Sequence, residues 1–358
     1  MIDRVVLISL EPWDDTWRRN QHLASRLVKL QHVRHIVWVS SPERGLREHV
    51  SHPEQGIEVV TPPLIAPRRI GGLALTAGWL RRRLSHCDVL WINDPRLGVA
   101  CLQRRTPAVY DVTDDWRAYP FPERIRRRIV EAEDRLAITA TTVVCSHVLA
   151  DRWVNRYSCR AQVVQNGVDL TAHRDAGRVP LEGPGPHIGY VGTLQPERLD
   201  IPLVLQMAAL PKAGTVHLIG PDALGDAARS LLEAAPGVRL HRPVPASRVP
   251  SVMASMDVLV APHLVNDFTL SLDAIKAYEY AASGRPVVAT PTSGFQRLPT
   301  EAGVQVGDRT SFLRLLEASL DDPDKRRASP VPGSTWEERT EQFAGVLQQV
   351  AVGQQRRR

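Results

Sequence analysis

Short apolar runs alternate with helical segments along almost the whole chain, and this alternation limits the fold more than any other feature. Each run is too short for a buried helix, as expected for a strand covered on both faces of a parallel sheet. The predicted strands are residues 5–10, 35–40, 57–61, 88–93, 108–112, 142–145, 162–165, 187–191, 215–219, 238–241, 258–261, 286–289 and 303–306. The predicted helices are residues 17–30, 73–84, 95–103, 123–138, 146–157, 201–210, 222–234, 248–256, 274–282 and 311–320. This order predicts an α/β protein built from doubly wound, Rossmann-like sheets.

The alternation breaks at residues 169–186, where the stretch 181–186 is rich in glycine and proline. A chain of 358 residues is also long for one core, so two domains are expected. The predicted organisation is a first domain at residues 1–168, a linker at 169–186, a second domain at 187–333, a terminal helix at 334–352 and a basic tail at 353–358. In a two-domain protein the terminal helix could pack back onto the first domain.

The charge balance favours an anionic partner. The formal net charge is +6 and the sequence pI is about 9.4, with arginine runs at 81–83, 124–128 and 356–358. Nucleotide-sugar phosphate and lipid headgroups both fit, and a solvated helix face is the simpler explanation for each run. Nucleic acid is not favoured, because the arginines lack interleaved aromatic residues and a recognisable binding module.

The cysteines and the first residues indicate the compartment. The four cysteines are widely spaced and form no Cys-x-x-Cys pair, so neither a zinc site nor a disulfide scaffold is indicated. The N-terminal apolar run is too short for a signal peptide, and no segment reaches the ~20 apolar residues of a membrane span. We therefore predict a cytoplasmic protein and leave open a peripheral contact with an anionic membrane.

A charged helix joined to a short buried strand is the most informative local motif. Lys276 and Glu279 are three residues apart, so they share one helix face and can address a single ligand with opposite charges. Gly284 ends the helix, Pro286 blocks its continuation, and residues 287–289 form the strand. The chemistry suits a nucleotide, with the cation for a diphosphate and the carboxylate for paired ribose hydroxyls. The alternative is an ordinary surface ion pair.

Other residues of the second half follow predicted strands, where ligands of doubly wound sheets bind. Gly192 and Thr193 close the strand 187–191, where a glycine lets a phosphate approach the backbone, and Arg198 lies near. Thr269, Ser271 and Asp273 suit a helix start, at which free N–H groups attract an anion. His263 could contact substrate or serve the structure.

The first half has two polar clusters after predicted strands. Asp111, Asp114 and Asp115 could repel one another and supply a general base, or they could cap helices and solvate a loop. Trp13, Asp14, Trp17 and Arg18 combine aromatic faces with polar groups, which suits a sugar, although the tryptophans could instead pack between domains. The chain has no Gly-x-Gly-x-x-Gly after either first strand, no Walker loop and no Gly-x-Ser-x-Gly elbow, which disfavours dehydrogenases, NTPases and α/β-hydrolases.

These motifs together resemble the GT-B fold glycosyltransferases, specifically the family 4-like (group 1) enzymes, over nearly the whole chain. The matching segments are Asn166-Gly-Val-Asp169, Gly189 to Leu194, Lys276-x-x-Glu279-Tyr with Gly284-x-Pro-Val-Val, and Trp336 at the start of the terminal helix. Many members carry two glutamates separated by seven residues, and here Ser271 stands at the first position. Asn266-Asp267-x-Thr269, Trp17-Arg18 and Tyr110-Asp111-x-x-Asp114 look closer to cell-envelope polysaccharide transferases of teichuronic acid type.

The resemblance implies two domains facing a cleft, with the C-terminal helix crossing back to the first domain. It implies that Glu279 binds the nucleotide ribose, while Lys276, Arg198 and the Gly192–Thr193 backbone hold the diphosphate of a nucleotide-sugar donor. No metal or other cofactor is implied. The acceptor, a saccharide, lipid-linked carrier or small molecule, would bind the first domain, with Asp114 or Asp115 as base if the enzyme inverts. A natural-product glycosyltransferase and a non-catalytic sugar-nucleotide binder, the latter raised by Ser271, are the alternatives.

Overall fold

The computed structural model describes residues 1–67, 71–83, 86–103, 106–322 and 327–355. The chain divides into two compact units, which we call the first domain (Met1–Gln165 with Trp336–Arg358) and the second domain (Asn166–Thr335). The predicted arginine run at 356–358, which ends the basic tail, and the last residue of the predicted helix 73–84 lie outside the described residues.

The first domain is built on one large sheet. In chain order its elements are β1 (Ile2–Ile8), α1 (Arg19–Lys29), β2 (Val33–Val39), β3 (Glu43–Arg44), β4 (His49–Glu54), β5 (Ile57–Thr61), β6 (Pro63–Leu64), α2 (Gly72–Arg83), β7 (Val89–Ile92), α3 (Pro95–Cys101), β8 (Ala108–Val112), α4 (Glu123–Thr139), β9 (Thr141–Val144), α5 (His147–Tyr157) and β10 (Gln162–Val163). The strand order is β10-β9-β8-β7-β1-β2-β5-β4, parallel except for β4, which pairs antiparallel with β5. A separate pair joins β3 to β6.

The second domain repeats this scheme with a smaller sheet. Its elements are α6 (Leu170–Arg174), β11 (His187–Val191), α7 (Ile201–Ala208), β12 (Thr215–Ile219), α8 (Asp226–Glu233), β13 (Val238–His241), α9 (Val249–Ser255), β14 (Val258–Ala261), α10 (Ile275–Ala282), β15 (Val287–Ala289), α11 (Ser293–Gln296), β16 (Gln305–Val306) and α12 (Arg309–Asp321). The order β13-β12-β11-β14-β15-β16 is parallel throughout. The predicted α/β class with two Rossmann-like domains is confirmed.

Several strands whose residues are all buried were predicted with their exact bounds. All residues of β8, β12 and β14 are buried, and the predicted bounds of these strands match the structure. The prediction missed β4, whose residues are mostly exposed and polar, because this edge strand carries no apolar run.

The segment 169–186, predicted to be a linker, packs against the second domain. Asp169 caps α6 by accepting a hydrogen bond from the Ala172 amide. The Val179 amide donates to Ser255 Oγ at 2.7 Å, and Thr215 Oγ1 donates to the Pro184 carbonyl at 2.8 Å. The glycines and prolines therefore shape a covering segment, and the chain crosses between the domains nearer Gln165 and Asn166.

The terminal helix α13 (Trp336–Gln355) belongs to the first domain, as the predicted return of the C-terminal helix requires. Trp336 is buried and stacks on the ring of His22 from α1, with centroids 4.5 Å apart and planes 10° apart. Arg26 Nε donates to Glu337 at 2.7 Å, and Phe343 packs on Trp91 of β7. Aromatic packing and a salt bridge thus attach α13 to α1 and the sheet.

Buried histidines make the stability of both domains sensitive to acid. Burial and the nearby Arg26 lower the pKa of His22 to about 3. In the second domain His187, His217 and His241 are hydrogen-bonded in series across β11, β12 and β13, at 3.0 and 2.9 Å. Burial and the neighbouring histidines lower the pKa of His217 to about 4.

We predict that the free energy of unfolding falls as the pH decreases from about 6.5 towards 4, because in this window the unfolded chain binds protons that the folded histidines exclude. His22 alone should cost about 2 kcal/mol at pH 5. Urea unfolding at a series of pH values measures how steeply the free energy of unfolding changes with pH. His22→Phe keeps an aromatic ring against Trp336 without a titrating group, so its slope should be shallower. An unchanged slope would contradict the prediction.

Candidate active site

The chemical groups of the second domain gather beyond the carboxyl ends of two paired strands, β11 and β14. Gly192 and Thr193 follow β11, and His263 follows β14. Because parallel strands end at the same edge, the loops after them lie side by side. Helix α10, which carries Lys276 and Glu279, follows the loop that contains His263.

Tyr190, the penultimate residue of β11, connects these loops. The Lys276 amine donates to its hydroxyl at 2.7 Å and lies 3.9 Å from the centre of its ring. The hydroxyl in turn donates to the Thr193 carbonyl at 3.2 Å and is 3.3 Å from His263 Nε2. The structure therefore brings Lys276, Thr193 and His263 together around one buried phenol.

Gly192 makes this arrangement possible. Its φ is +148°, a backbone conformation that favours glycine, and a Cβ built there would lie 2.5 Å from the Lys276 amine. A Cβ on Gly220, after β12, would lie 2.2 Å from the Gly192 carbonyl oxygen. The backbone thus runs close to the Lys276 amine.

The charges around Lys276 are closely spaced in a partly buried site. Burial and the neighbouring Arg198 lower the pKa of Lys276 well below its usual range, while Glu279 opposes them. Burial raises the pKa of Glu279 to about 7, against the effect of Lys276. Among the described residues no salt bridge joins Lys276 to Glu279, since the amine turns towards Tyr190 instead. The simple surface ion pair considered above is not what the structure contains.

His263 and Arg198 complete the surroundings. His263 is buried, its amide donates to Thr290 Oγ1 at 3.0 Å, and burial together with Lys276 and Arg198 lowers its pKa well below the usual value. The Arg198 guanidinium lies 5.3 Å from the centre of the Phe268 ring. His263 is therefore neutral at physiological pH and supports the loop.

The start of α10 differs from the prediction. Its N-cap is Ala274, which provides no side-chain hydrogen bond, and Thr269–Ser271 form a separate short 3₁₀ turn. Thr269 Oγ1 donates to the Leu264 carbonyl and Ser271 Oγ to the Phe268 carbonyl, both at 2.6 Å, and both residues are fully buried. These hydroxyls hold the loop, and the main-chain N–H groups at the start of α10 have no side-chain cap.

The aspartates of the first domain have distinct surroundings. Asp111 is buried in an ion pair with Arg19 at 3.1 Å. Asp115 accepts from the Arg117 amide at 3.1 Å and from Arg152 Nη1 at 2.7 Å. Asp114 is only partly buried and accepts from the Thr113 hydroxyl at 3.3 Å. Arginine partners therefore pair with Asp111 and Asp115, and Asp114 is the most exposed of the three carboxylates.

The residues after β1 form an aromatic and charged cluster within the first domain. The rings of Trp13 and Trp17 lie 6.1 Å apart, and Trp13 packs edge-on against the buried Trp38 at 5.1 Å. Arg18 pairs with Asp14 at 3.2 Å and with Glu11 at 3.5 Å. All four predicted residues of this cluster are partly exposed, so they can contact a ligand while packing on the domain core.

Sequence reasoning did not assign a role to Tyr190 or to Gly220. Tyr190 lies in an apolar strand and reads as an ordinary buried aromatic residue. The sequence did offer one signal: a tyrosine lies two residues before a glycine at the end of a strand. A buried tyrosine hydroxyl usually finds a hydrogen-bond partner, and here that partner could be expected in a neighbouring loop.

Two family models match the chain, one for each domain. Residues 17–172 match the Glycosyltransferase Family 4 model and residues 185–322 match the Glycosyl transferases group 1 model. TuaH of Bacillus subtilis, which carries a provisional designation as a teichuronic acid biosynthesis glycosyltransferase, is 25% identical over 320 residues, or 80% of each chain.

Solved structures share the fold at low identity. A sucrose-phosphate synthase from Thermosynechococcus elongatus superposes with a TM-score of 0.70 at 15% identity, covering 99% of this chain and 98% of its own. HepE from Anabaena, solved in complex with UDP-glucose, gives a TM-score of 0.64 at 14% identity with the same coverage.

The two domain matches and the shared fold show that the chain is a glycosyltransferase of the GT-B fold. It is similar to the family 4-like, group 1 enzymes in both domains. In the described ranges no helix is long and apolar enough to cross a membrane, and no three His, Cys, Asp or Glu side chains are grouped to hold a metal ion.

We predict that Gly192→Ala weakens nucleoside diphosphate binding by about tenfold or more, because the new methyl group displaces the Lys276 amine. The fold should survive, since the clashing atom ends a flexible side chain. Isothermal titration calorimetry measures the affinity. Gly225→Ala is the matched control, because Gly225 also has positive φ, +74°, but a Cβ there meets nothing within 4 Å. Equal affinities of the two variants would refute the role of Gly192.

Proposed function

We propose that the second domain binds the nucleoside diphosphate of a sugar donor at Gly192, Thr193, Arg198, Lys276 and Glu279. The enzyme then transfers the sugar to a saccharide, lipid-linked or small-molecule acceptor in cell-envelope polysaccharide synthesis. The observation that carries the proposal is the Lys276 amine beside the Gly192 backbone at the start of an uncapped helix. The UDP-glucose complex of HepE supports the donor class, and the similarity to TuaH supports the envelope role.

Each group has a defined task in this proposal. Lys276, Arg198 and the N–H groups at the start of α10 stabilise the diphosphate, whose negative charge grows as it leaves the sugar. Glu279, one turn further along α10, accepts hydrogen bonds from the ribose hydroxyls. Thr269 and Ser271, predicted to bind the donor directly, instead fix the loop between β14 and α10. No bound metal is required, so transfer should continue in EDTA.

We expect Glu279→Ala to weaken nucleoside diphosphate binding by at least about tenfold, since one hydrogen bond to a charged group is already worth ~1.5 kcal/mol and two are lost. The loss should disappear when the ligand is the 2′,3′-dideoxynucleotide, because that ligand has no hydroxyls for Glu279 to hold. Calorimetry measures the affinity of the wild type and of Glu279→Ala for each of the two ligands, and the four values form a thermodynamic cycle. An equal loss for both ligands would assign Glu279 a different role, and unchanged affinity for the normal ligand would overturn the site.

Catalysis at the acceptor is proposed to use Asp114 as the general base, if the reaction inverts the sugar configuration. Asp114→Asn should then lower the transfer rate by about a hundredfold or more while leaving donor binding intact. Asp115→Asn is the comparison variant. Because it loses the ion pair with Arg152, its first effect should be a lower stability of the fold. The transfer rates are measured with a panel of nucleotide sugars as donors and with envelope and natural-product compounds as acceptors. Normal transfer by Asp114→Asn would exclude it as base, and binding without any transfer would favour a non-catalytic protein.

We further propose a cytoplasmic enzyme whose first domain contacts an anionic membrane through the exposed arginines of α4. Arg124 and Arg128 are exposed, beside the partly exposed Ile125. Salt-sensitive sedimentation with phosphatidylglycerol liposomes is expected, because anionic headgroups attract clustered arginines. Arg124→Glu with Arg128→Glu should abolish it, whereas the same charge change at the exposed Arg297 and Arg314 should not. Absence of salt-sensitive binding by the wild type would refute the contact.

A further inference from the structure

The Tyr190 hydroxyl has a complete set of hydrogen-bond partners. A phenol has one proton to donate and two lone pairs that accept. The proton is used on the Thr193 carbonyl, and Lys276 Nζ and His263 Nε2 occupy the two acceptor positions at 2.7 and 3.3 Å. This count requires the proton of the neutral His263 ring to be on Nε2. The hydroxyl therefore connects two loops and helix α10 with no hydrogen-bonding capacity left over.

The position of the Lys276 amine is costly without a ligand. A partly buried amine loses hydration, and it lies near a second cation, Arg198. The groups that face it are Tyr190 from β11, Arg198 from the following loop, His263 from the loop after β14 and Glu279 on its own helix. Only Glu279 offers a compensating negative charge, and no salt bridge between the two is formed among the described residues.

We propose that Tyr190 is a positioning residue, which holds the Lys276 amine beside Gly192 in the empty enzyme so that donor binding is coupled to protonation of that amine. The inference deepens the proposed function and rests on it. The phenol ring and hydroxyl keep the amine partly dehydrated, in the position where it will contact the diphosphate. When the diphosphate arrives, its negative charge stabilises the ammonium form, and the neutral amine gains one N–H bond by taking a proton from solvent.

Calorimetry in two buffers of different ionisation enthalpy counts the protons taken up on binding. The probes are UDP, GDP, ADP and TDP, and the tightest of them is used at about pH 8.5. At that pH a terminal phosphate, with a pKa of about 6, is ionised already. Glu279, whose pKa is about 7, is also largely ionised there. Net proton uptake on binding is expected for the wild type.

Three variants identify the source of the uptake. Lys276→Arg keeps a positive charge that does not titrate, so it should bind the nucleotide with no proton uptake. Tyr190→Phe should bind about tenfold more weakly and take up fewer protons, because the amine is released towards water. Tyr280→Phe is the control, since it loses a buried phenol hydroxyl that bonds the Val191 amide on the same strand without contacting Lys276.

The outcomes separate this inference from the proposed function. If no nucleoside diphosphate binds the wild type, the donor site itself is wrong. If one binds without proton uptake, or with equal uptake in Lys276→Arg, only the present inference fails. Equal behaviour of Tyr190→Phe and Tyr280→Phe would likewise refute the role of Tyr190. Should Tyr190→Phe fail to fold, as judged by circular dichroism, the comparison of the wild type with Lys276→Arg still decides the proton coupling.

Discussion

Parallel pairing of buried strands is the constraint on which both domains depend. Such strands need apolar side chains on both faces, so polar groups are pushed into the loops beyond their ends. Because parallel strands share a direction, the loops that follow β11 and β14 meet at one edge of the second sheet. Gly192, His263 and helix α10 are neighbours for this reason, although Gly192 is far from the other two in the sequence.

The two domains treat buried charge differently. In the first domain Asp111 is neutralised by Arg19 at the same depth, and Glu133 accepts from both Tyr110 and Arg117. A buried charge with such partners is tolerated and fixes the local structure. In the second domain, within the part of the chain that the structure describes, the Lys276 amine has only a phenol as its hydrogen-bond partner, with Arg198 as a nearby cation and Glu279 as an opposing charge. This incomplete compensation differs from the buried ion pair of the first domain.

The aromatic stack at α13 shows how the chain ends serve the first domain. Trp336 follows the last residue of the second domain in sequence, yet it packs on His22 near the start of the chain. The salt bridge between Arg26 and Glu337 and the packing of Phe343 on Trp91 extend this contact along the helix. The first domain therefore includes a segment that follows the second domain in the sequence.

The sequence by itself determined the α/β class and the bounds of β8, β12 and β14, and it singled out Lys276 and Glu279 as candidate donor ligands. Apolar periodicity and helix-breaking residues act over a few positions, so they can be read locally. Tertiary structure decided what each polar group contacts. Tyr190 and Lys276 are 86 positions apart, Thr269 and Ser271 turned out to hold a loop, and Asp115 proved to be paired with Arg152. Such contacts depend on how strands and loops are placed in space, which no local pattern of residues specifies.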